Sequence, residues 1–164
     1  MRQIHLYSSF PQTPVSLRQL VEFGQRPSLG TLTRAALFLR EELPIRLAHR
    51  AVELEHLPHH LGSMASIDKV RQWYHQSFDE LLAYPKLEVE KAMPTEQDTM
   101  HIGRKRYYTK INDEHLPSNT EDWNRGFTDI IERIRRRHDP TLTTIGDLLL
   151  LFFPLARPPN PQER

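Results

Sequence analysis

Apolar residues return at helical spacing in three long stretches of this chain, and almost no stretch alternates apolar with polar residues in the manner of a strand. In "SIDKVRQWYHQSFDELLAYP", Ile67, Val70, Trp73, Tyr74, Phe78, Leu81 and Leu82 follow Ser66, a plausible N-cap, and the pattern stops before Pro85. In "TRAALFLREELPIRLAHRAVELEHLP", Leu37, Phe38, Leu43, Leu47, Val52 and Leu54 predict a helix over 33–56. Pro44 should bend it by removing one backbone donor and crowding the preceding turn. "SNTEDWNRGFTDIIERIRRRHDP" sets Ser118 and Glu121 at capping-box spacing and turns Trp123, Phe127, Ile130, Ile131 and Ile134 inward, predicting a helix over 120–138 closed by Pro140. A shorter helix, "SLRQLVEFG", places Leu17, Leu20, Val21 and Phe23 along one face over 16–24.

These periods predict an all-α fold, a four- or five-helix bundle over residues 7–150. Residues 85–117 lose periodicity and read as a long irregular loop or insert. After "IGDLLLLFF", which begins like another buried helix, residues 151–164 dissolve into a proline-rich tail expected to be disordered.

Composition removes several function classes. With 164 residues, one domain is expected, and 22 Lys and Arg against 21 Asp and Glu leave a formal charge of +1. No global field argues for nucleic acid or an anionic membrane. The absence of cysteine excludes disulfides, thiolate catalysis and cysteine-ligated metals together. Glycines stand at 24, 30, 62, 103, 126 and 146, too sparse for a phosphate loop, and there is no Gly-x-Ser-x-Gly elbow. Carboxylates such as Glu41 and Glu42 read as solvated helix residues. No apolar run reaches the roughly 18 residues needed to span a bilayer. No acid precedes Glu22, as in an organelle transit peptide, yet positions 7–24 read as folded, so a complete cleavable presequence is not expected.

Three clusters remain. "EHLPHH" at 55–60 is dense in histidine, but Pro58 breaks the i, i+4 geometry of a helical zinc motif, and no metal is expected. "GRKRYY" at 103–108 reads as a solvated basic surface. "RRRHDPTLTT" at 135–144 places Arg135, Arg136, Arg137 and His138 in a last helical turn, where the helix dipole favours cations. Steps of about 100° per residue put Arg135 and His138 on the face of Ile131 and Ile134, toward the bundle, with Arg136 and Arg137 diverging. A guanidinium turned inward wants an anion. The stretch is therefore either a C-terminal cap or part of an anion site.

Four motifs in order, "YSSFPQTPVSLRQLVEFG", "FLREELPIRLAHRAVELEHLP", "SIDKVRQWYHQSFDELL" and "RRRHDPTLTT", resemble the N-terminal domain of the mitochondrial pyruvate dehydrogenase and branched-chain ketoacid dehydrogenase kinases, fungal members most closely. The resemblance covers roughly residues 7–84 and 118–145. It implies a regulatory bundle in the mitochondrial matrix that binds the lipoyl domain of the dihydrolipoyl acyltransferase, senses small keto acids, and pairs with full-length kinase as a dimer. Carried over by motif, Val15, Leu20, Phe23 and Phe38 would form the lipoyl pocket. Leu47, Tyr74, Ser77, Ile134, Arg135 and His138 would form the effector pocket, Arg135 pairing with the carboxylate and His138 facing the catalytic base of a kinase domain.

Two departures stand out: "IGDLLLLFFPLARPP" replaces the family's continuation, and the ATP-binding motifs are missing. The expectation is thus a regulatory part of a protein-serine/threonine kinase, truncated and without phosphotransfer activity of its own. ATP and Mg would belong to the family's second domain, and no cofactor is expected in this chain. The alternatives are a non-enzymatic adaptor or decoy on the lipoyl domain, and a histidine phosphotransfer bundle using His138.

Overall fold

The computed structural model describes residues 2–17, 21, 24–25, 27–88 and 116–152, with side chains up to residue 146. Among these the regular structure is helical: α1 (Arg2–Ser8), α2 (Leu29–Glu55), a 3-10 turn (Leu61–Ser63), α3 (Ala65–Ala83), α4 (Thr120–His138) and α5 (Thr141–Phe152). The all-α bundle expected from periodicity is what forms. Residues 89–115 and the tail from 153 onward lie outside the described residues, as do Leu20 and Phe23. Of the helix expected over 16–24, Leu17, Val21 and Gly24 are helical, but Leu17 and Val21 face solvent rather than the core.

Helix α2 starts four residues earlier than its apolar period suggests. Ser28 is the N-cap, its hydroxyl accepting from the Thr31 amide at 3.2 Å. Thr33 sits fully buried in the first turns, its hydroxyl donating to the Leu29 carbonyl and accepting from Asn124 Nδ2 of α4 at 2.8 Å. The helix continues through Pro44, which is itself buried, so the proline does not divide it.

The N-termini of α3 and α4 differ from expectation. Met64 and Asn119 occupy the N-cap positions, and neither caps through its side chain. Ser66 lies inside the first turn of α3, and the Thr120 hydroxyl donates to the Pro117 carbonyl at 2.6 Å. Pro140 ends α4 and opens α5, its carbonyl accepting the Thr144 amide at 2.9 Å.

Two apolar clusters hold the bundle. One joins Leu81, Leu87, Trp123, Phe127 and Ile130, flanked by Leu43, Leu47, Tyr84 and Ile134. The other joins Ile4, Ala48, Ala51 and Phe78, flanked by Tyr7, Leu47 and Tyr74. The alanines give α1 a close seat on α2, into which Ile4 sinks, so the helical unit includes residues before 7. At the C-terminus of α3, Arg40 donates twice to the Tyr84 carbonyl, at 2.7 and 3.2 Å. Trp123 Nε1 donates to the Pro85 carbonyl, anchoring the exit from α3, where Leu87 is buried.

Candidate functional site

On α3, Tyr74 and Ser77 are three positions apart and share a face, and the end of α4 lays His138 against both. The Tyr74 and His138 rings lie 4.6 Å apart, and Ser77 Oγ is 3.0 Å from His138 Nε2. Ser77 is fully buried, while Tyr74 and His138 are half-buried. Leu47 packs against both apolar clusters and Ile134 against the one around Trp123. Five of the six residues expected at an effector pocket therefore converge on one region of the α2, α3 and α4 packing.

Arg135 is the exception. Its guanidinium turns to solvent, 59% exposed, donating to both oxygens of Glu132 at 2.9 Å and pairing with Asp139 at 3.3 Å. The inward cation is Arg137, only 14% exposed, donating to Ser77 Oγ at 2.8 Å and to Glu80 Oε1 at 2.6 Å. The buried face of α4 is centred on Trp123, Phe127 and Ile130 rather than on Ile131 and Ile134. Measured from Trp123, Arg137 falls about 40° to one side and His138 about 60° to the other, whereas Arg135 is about 120° away. Ile134 lies about 20° from Trp123, within that face, but Ile131 lies about 80° away at its edge, and including it in the face is what misplaced the arginine. Its partner Glu80, three residues after Ser77, is the signal that sequence reading passed over.

Arg137 can only donate, so Ser77 Oγ accepts from it. A hydroxyl oxygen can accept twice, so the direction of the Ser77–His138 bond follows the imidazole tautomer. Burial, then the charge of Arg137, holds His138 below the ordinary histidine pKa, with the Trp73 backbone opposing them. Burial likewise raises the Tyr74 phenol, with Glu53 adding to the rise and Arg50 opposing. Beside Tyr74 opens a cleft of about 240 Å³, lined by Arg50, Glu53, Leu54, Leu57, Val70 and Ile145.

A second, larger cleft of about 640 Å³ lies between residues 12–15 and α2. It brings together Val15 and Phe38, two of the four residues expected at a lipoyl pocket, with Leu39 and Leu43. Glu42, read from sequence as solvated, is buried to 4% exposure; its Oε1 accepts the Thr13 amide at 2.9 Å and Arg46 Nε at 3.0 Å. The histidines of "EHLPHH" serve the α2–α3 turn: His56 Nδ1 lies 2.8 Å from the Val52 carbonyl, and His59 and His60 take left-handed backbone conformations.

The described residues thus define a helical domain whose polar groups cross-link helices around two clefts. The chain belongs to the mitochondrial branched-chain alpha-ketoacid dehydrogenase kinase family, whose model matches residues 14–151, and it represents the N-terminal domain of these kinases. It is 46% identical over 92 residues to a mitochondrial pyruvate dehydrogenase (acetyl-transferring) kinase of Schizosaccharomyces pombe, a match covering 56% of this chain and 22% of that protein. An Arabidopsis thaliana counterpart is 42% identical over 87 residues, 53% of this chain and 24% of the relative. The rat kinase isozyme 4 is 32% identical over 112 residues, 67% of this chain and 27% of the relative. The chain therefore spans about a quarter of the length of these relatives.

Proposed function

We propose that this chain serves in the mitochondrial matrix as the regulatory, partner-binding domain of a pyruvate dehydrogenase kinase-like protein, docking on the lipoyl domain of the dihydrolipoyl acyltransferase. One observation carries the reading: within a member of this family, Val15 and Phe38 line the same cleft of about 640 Å³, with Leu39 and Leu43 as further apolar wall. Leu20 and Phe23, proposed for the same pocket by motif, lie outside the described residues. A lipoyl-lysine arm is long, uncharged and apolar, so its transfer from water into such a slot is favourable. Calorimetric titration of the purified chain with lipoylated and unlipoylated domain tests this. Binding only of the lipoylated form is expected, and equal or absent binding refutes it.

A small keto acid is proposed to bind at Tyr74, Ser77 and His138, with Leu47 and Ile134 as the dry wall. Of the two candidate cations, Arg137 already touches Ser77, whereas Arg135 would have to leave Glu132 and Asp139. The protein-serine/threonine kinase chemistry of the family, with ATP and Mg, is not assigned to these 164 residues, which hold no glycine-rich phosphate loop. Magnesium-dependent phosphorylation of the dehydrogenase by the purified chain would contradict that. An adaptor or decoy acting on the lipoyl domain uses the same cleft and gives the same titration. Phosphotransfer through His138 is disfavoured, because its Nε2 is held by buried Ser77 and the ring is half-buried.

A further inference from the structure

Residues 11–16 have no helical hydrogen bonds of their own, and Pro11 and Pro14 remove two donors. This short strap nevertheless forms one wall of the larger cleft, through Gln12, Thr13, Pro14 and Val15. What holds it is a polar row on α2. Glu42, Arg46 and His49 follow one another at i, i+4 and i+7, on one side of the helix, one turn beyond Phe38. Glu42 and Arg46 take hold of strap backbone rather than a strap side chain, and His49 of the residue just before it. Glu42 Oε1 accepts the Thr13 amide at 2.9 Å, Arg46 Nη2 donates to the Thr13 carbonyl at 2.6 Å, and His49 Nε2 lies 2.9 Å from the Phe10 carbonyl.

Arg46 Nε also donates to the same Glu42 oxygen at 3.0 Å, closing a ring through the peptide of Thr13. Both backbone groups of one residue are thereby satisfied by a single ion pair. That fixes the position of the strap without depending on its sequence. It also matches the acid of Glu42 with a cation, so the cleft beside it can take an uncharged occupant without stranding a buried charge.

We propose that Glu42 and Arg46 are positioning residues for docking: they hold the 12–15 strap at the distance from Phe38 and Leu43 that an apolar, uncharged arm requires, without being its principal contact. The proposal rests on the lipoyl-docking reading above. It predicts that the strap, not the bundle, fails when the ring is opened. Arg46 is partly exposed, and Arg46→Met keeps its apolar stem while removing the fork. Glu42→Gln keeps an acceptor for the Thr13 amide but loses the charge that orders Arg46.

The test pairs two measurements on the full chain: hydrogen exchange at the Thr13 amide, and affinity for the lipoylated acyltransferase domain. In Arg46→Met, exchange at Thr13 is expected to quicken, and affinity to fall, each by about tenfold, the loss of one charge-assisted bond. Core amides of α3 should keep their protection, and Arg46→Lys should recover part of the affinity. Thr13 exchange unchanged in both Arg46→Met and Glu42→Gln overturns the clamp, as does faster exchange with unaltered affinity. If the unaltered chain ignores the lipoylated domain, the docking reading falls and takes the functional role of the clamp with it. Binding that survives in both variants overturns the clamp alone.

Discussion

Ser77 Oγ and His138 Nε2 meet 3.0 Å apart across the α3–α4 packing, 61 positions apart in sequence, and Arg137 donates to the same hydroxyl at 2.8 Å. One buried serine thus relays between a permanent cation and a titrating ring. Arg137, Ser77 and His138 thus form one chain of contacts that ties the end of α4 to α3. This chain of bonds is the most specific polar feature of the helical bundle, and most of what can be tested about the proposed effector site passes through it.

The first prediction separates the two arginines. Arg137→Met removes the partner of Glu80 and one bond to buried Ser77, and should cost about 1 to 3 kcal/mol of stability in urea denaturation. It should also abolish any rise in melting temperature given by pyruvate or a halogenated acetate. Arg135→Ala removes only solvent-facing pairs and should leave both stability and the ligand-induced shift where they are. The opposite pattern would restore Arg135 as the carboxylate partner.

Acid sensitivity follows from the histidines. Burial holds both His138 and His75 below the ordinary pKa of 6.5; Arg137 adds to the effect at His138, while Glu55 opposes it at His75. In the window below 6.5 the unfolded chain binds protons that the folded chain does not, so unfolding becomes easier as pH falls. Stability should be fully present near pH 7 and decline toward about pH 5. Urea midpoints across this range should fall less steeply for His138→Gln than for the unaltered chain. Parallel slopes would mean that His138 titrates normally in the folded protein.

Gly126 gives a prediction whose sign depends on a neighbour. A Cβ there would lie 2.6 Å from the Tyr84 hydroxyl, which itself donates to the Trp123 carbonyl at 2.6 Å, while the Tyr84 ring is packed against Trp123 and Phe127. The ring has nowhere to retreat, so Gly126→Ala should cost about 1 to 3 kcal/mol despite the better helix propensity of alanine. In a Tyr84→Phe background the nearest ring carbons stand 3.5 and 3.6 Å away, and the same substitution should stabilise by up to about 1 kcal/mol. A double-mutant cycle read by thermal unfolding checks the reversal.

The existence and order of the long helices were legible from periodicity alone, because Val70, Phe78, Leu81, Trp123 and Phe127 repeat at helical spacing and are all buried. Helix starts were less so. Ser66 and Ser118 carry the right chemistry for caps, but capping depends on one backbone angle, and Met64 and Asn119 take those positions instead. α1 escaped notice because its anchor, Ile4, is meaningful only against the alanine seat on α2.

At the proposed sites, Tyr74, Ser77 and His138 came from motif resemblance, and the structure brings them into contact. Glu42 and Arg137 did not, since their partners at Thr13 and Glu80 are 29 and 57 positions distant, beyond any local pattern. The face of α4 was misjudged by a fraction of a turn, enough to exchange Arg137 for Arg135.

The docking cleft is best tested by residue-resolved NMR. Labelled chain titrated with the lipoylated acyltransferase domain should show its largest amide shifts at Val15, Phe38, Leu39 and Leu43, and none of these with the unlipoylated domain. Shifts confined to the far end of α4 and α5, or identical shifts with both forms, would contradict the claim that this bundle recognises a lipoyl arm between its strap and α2.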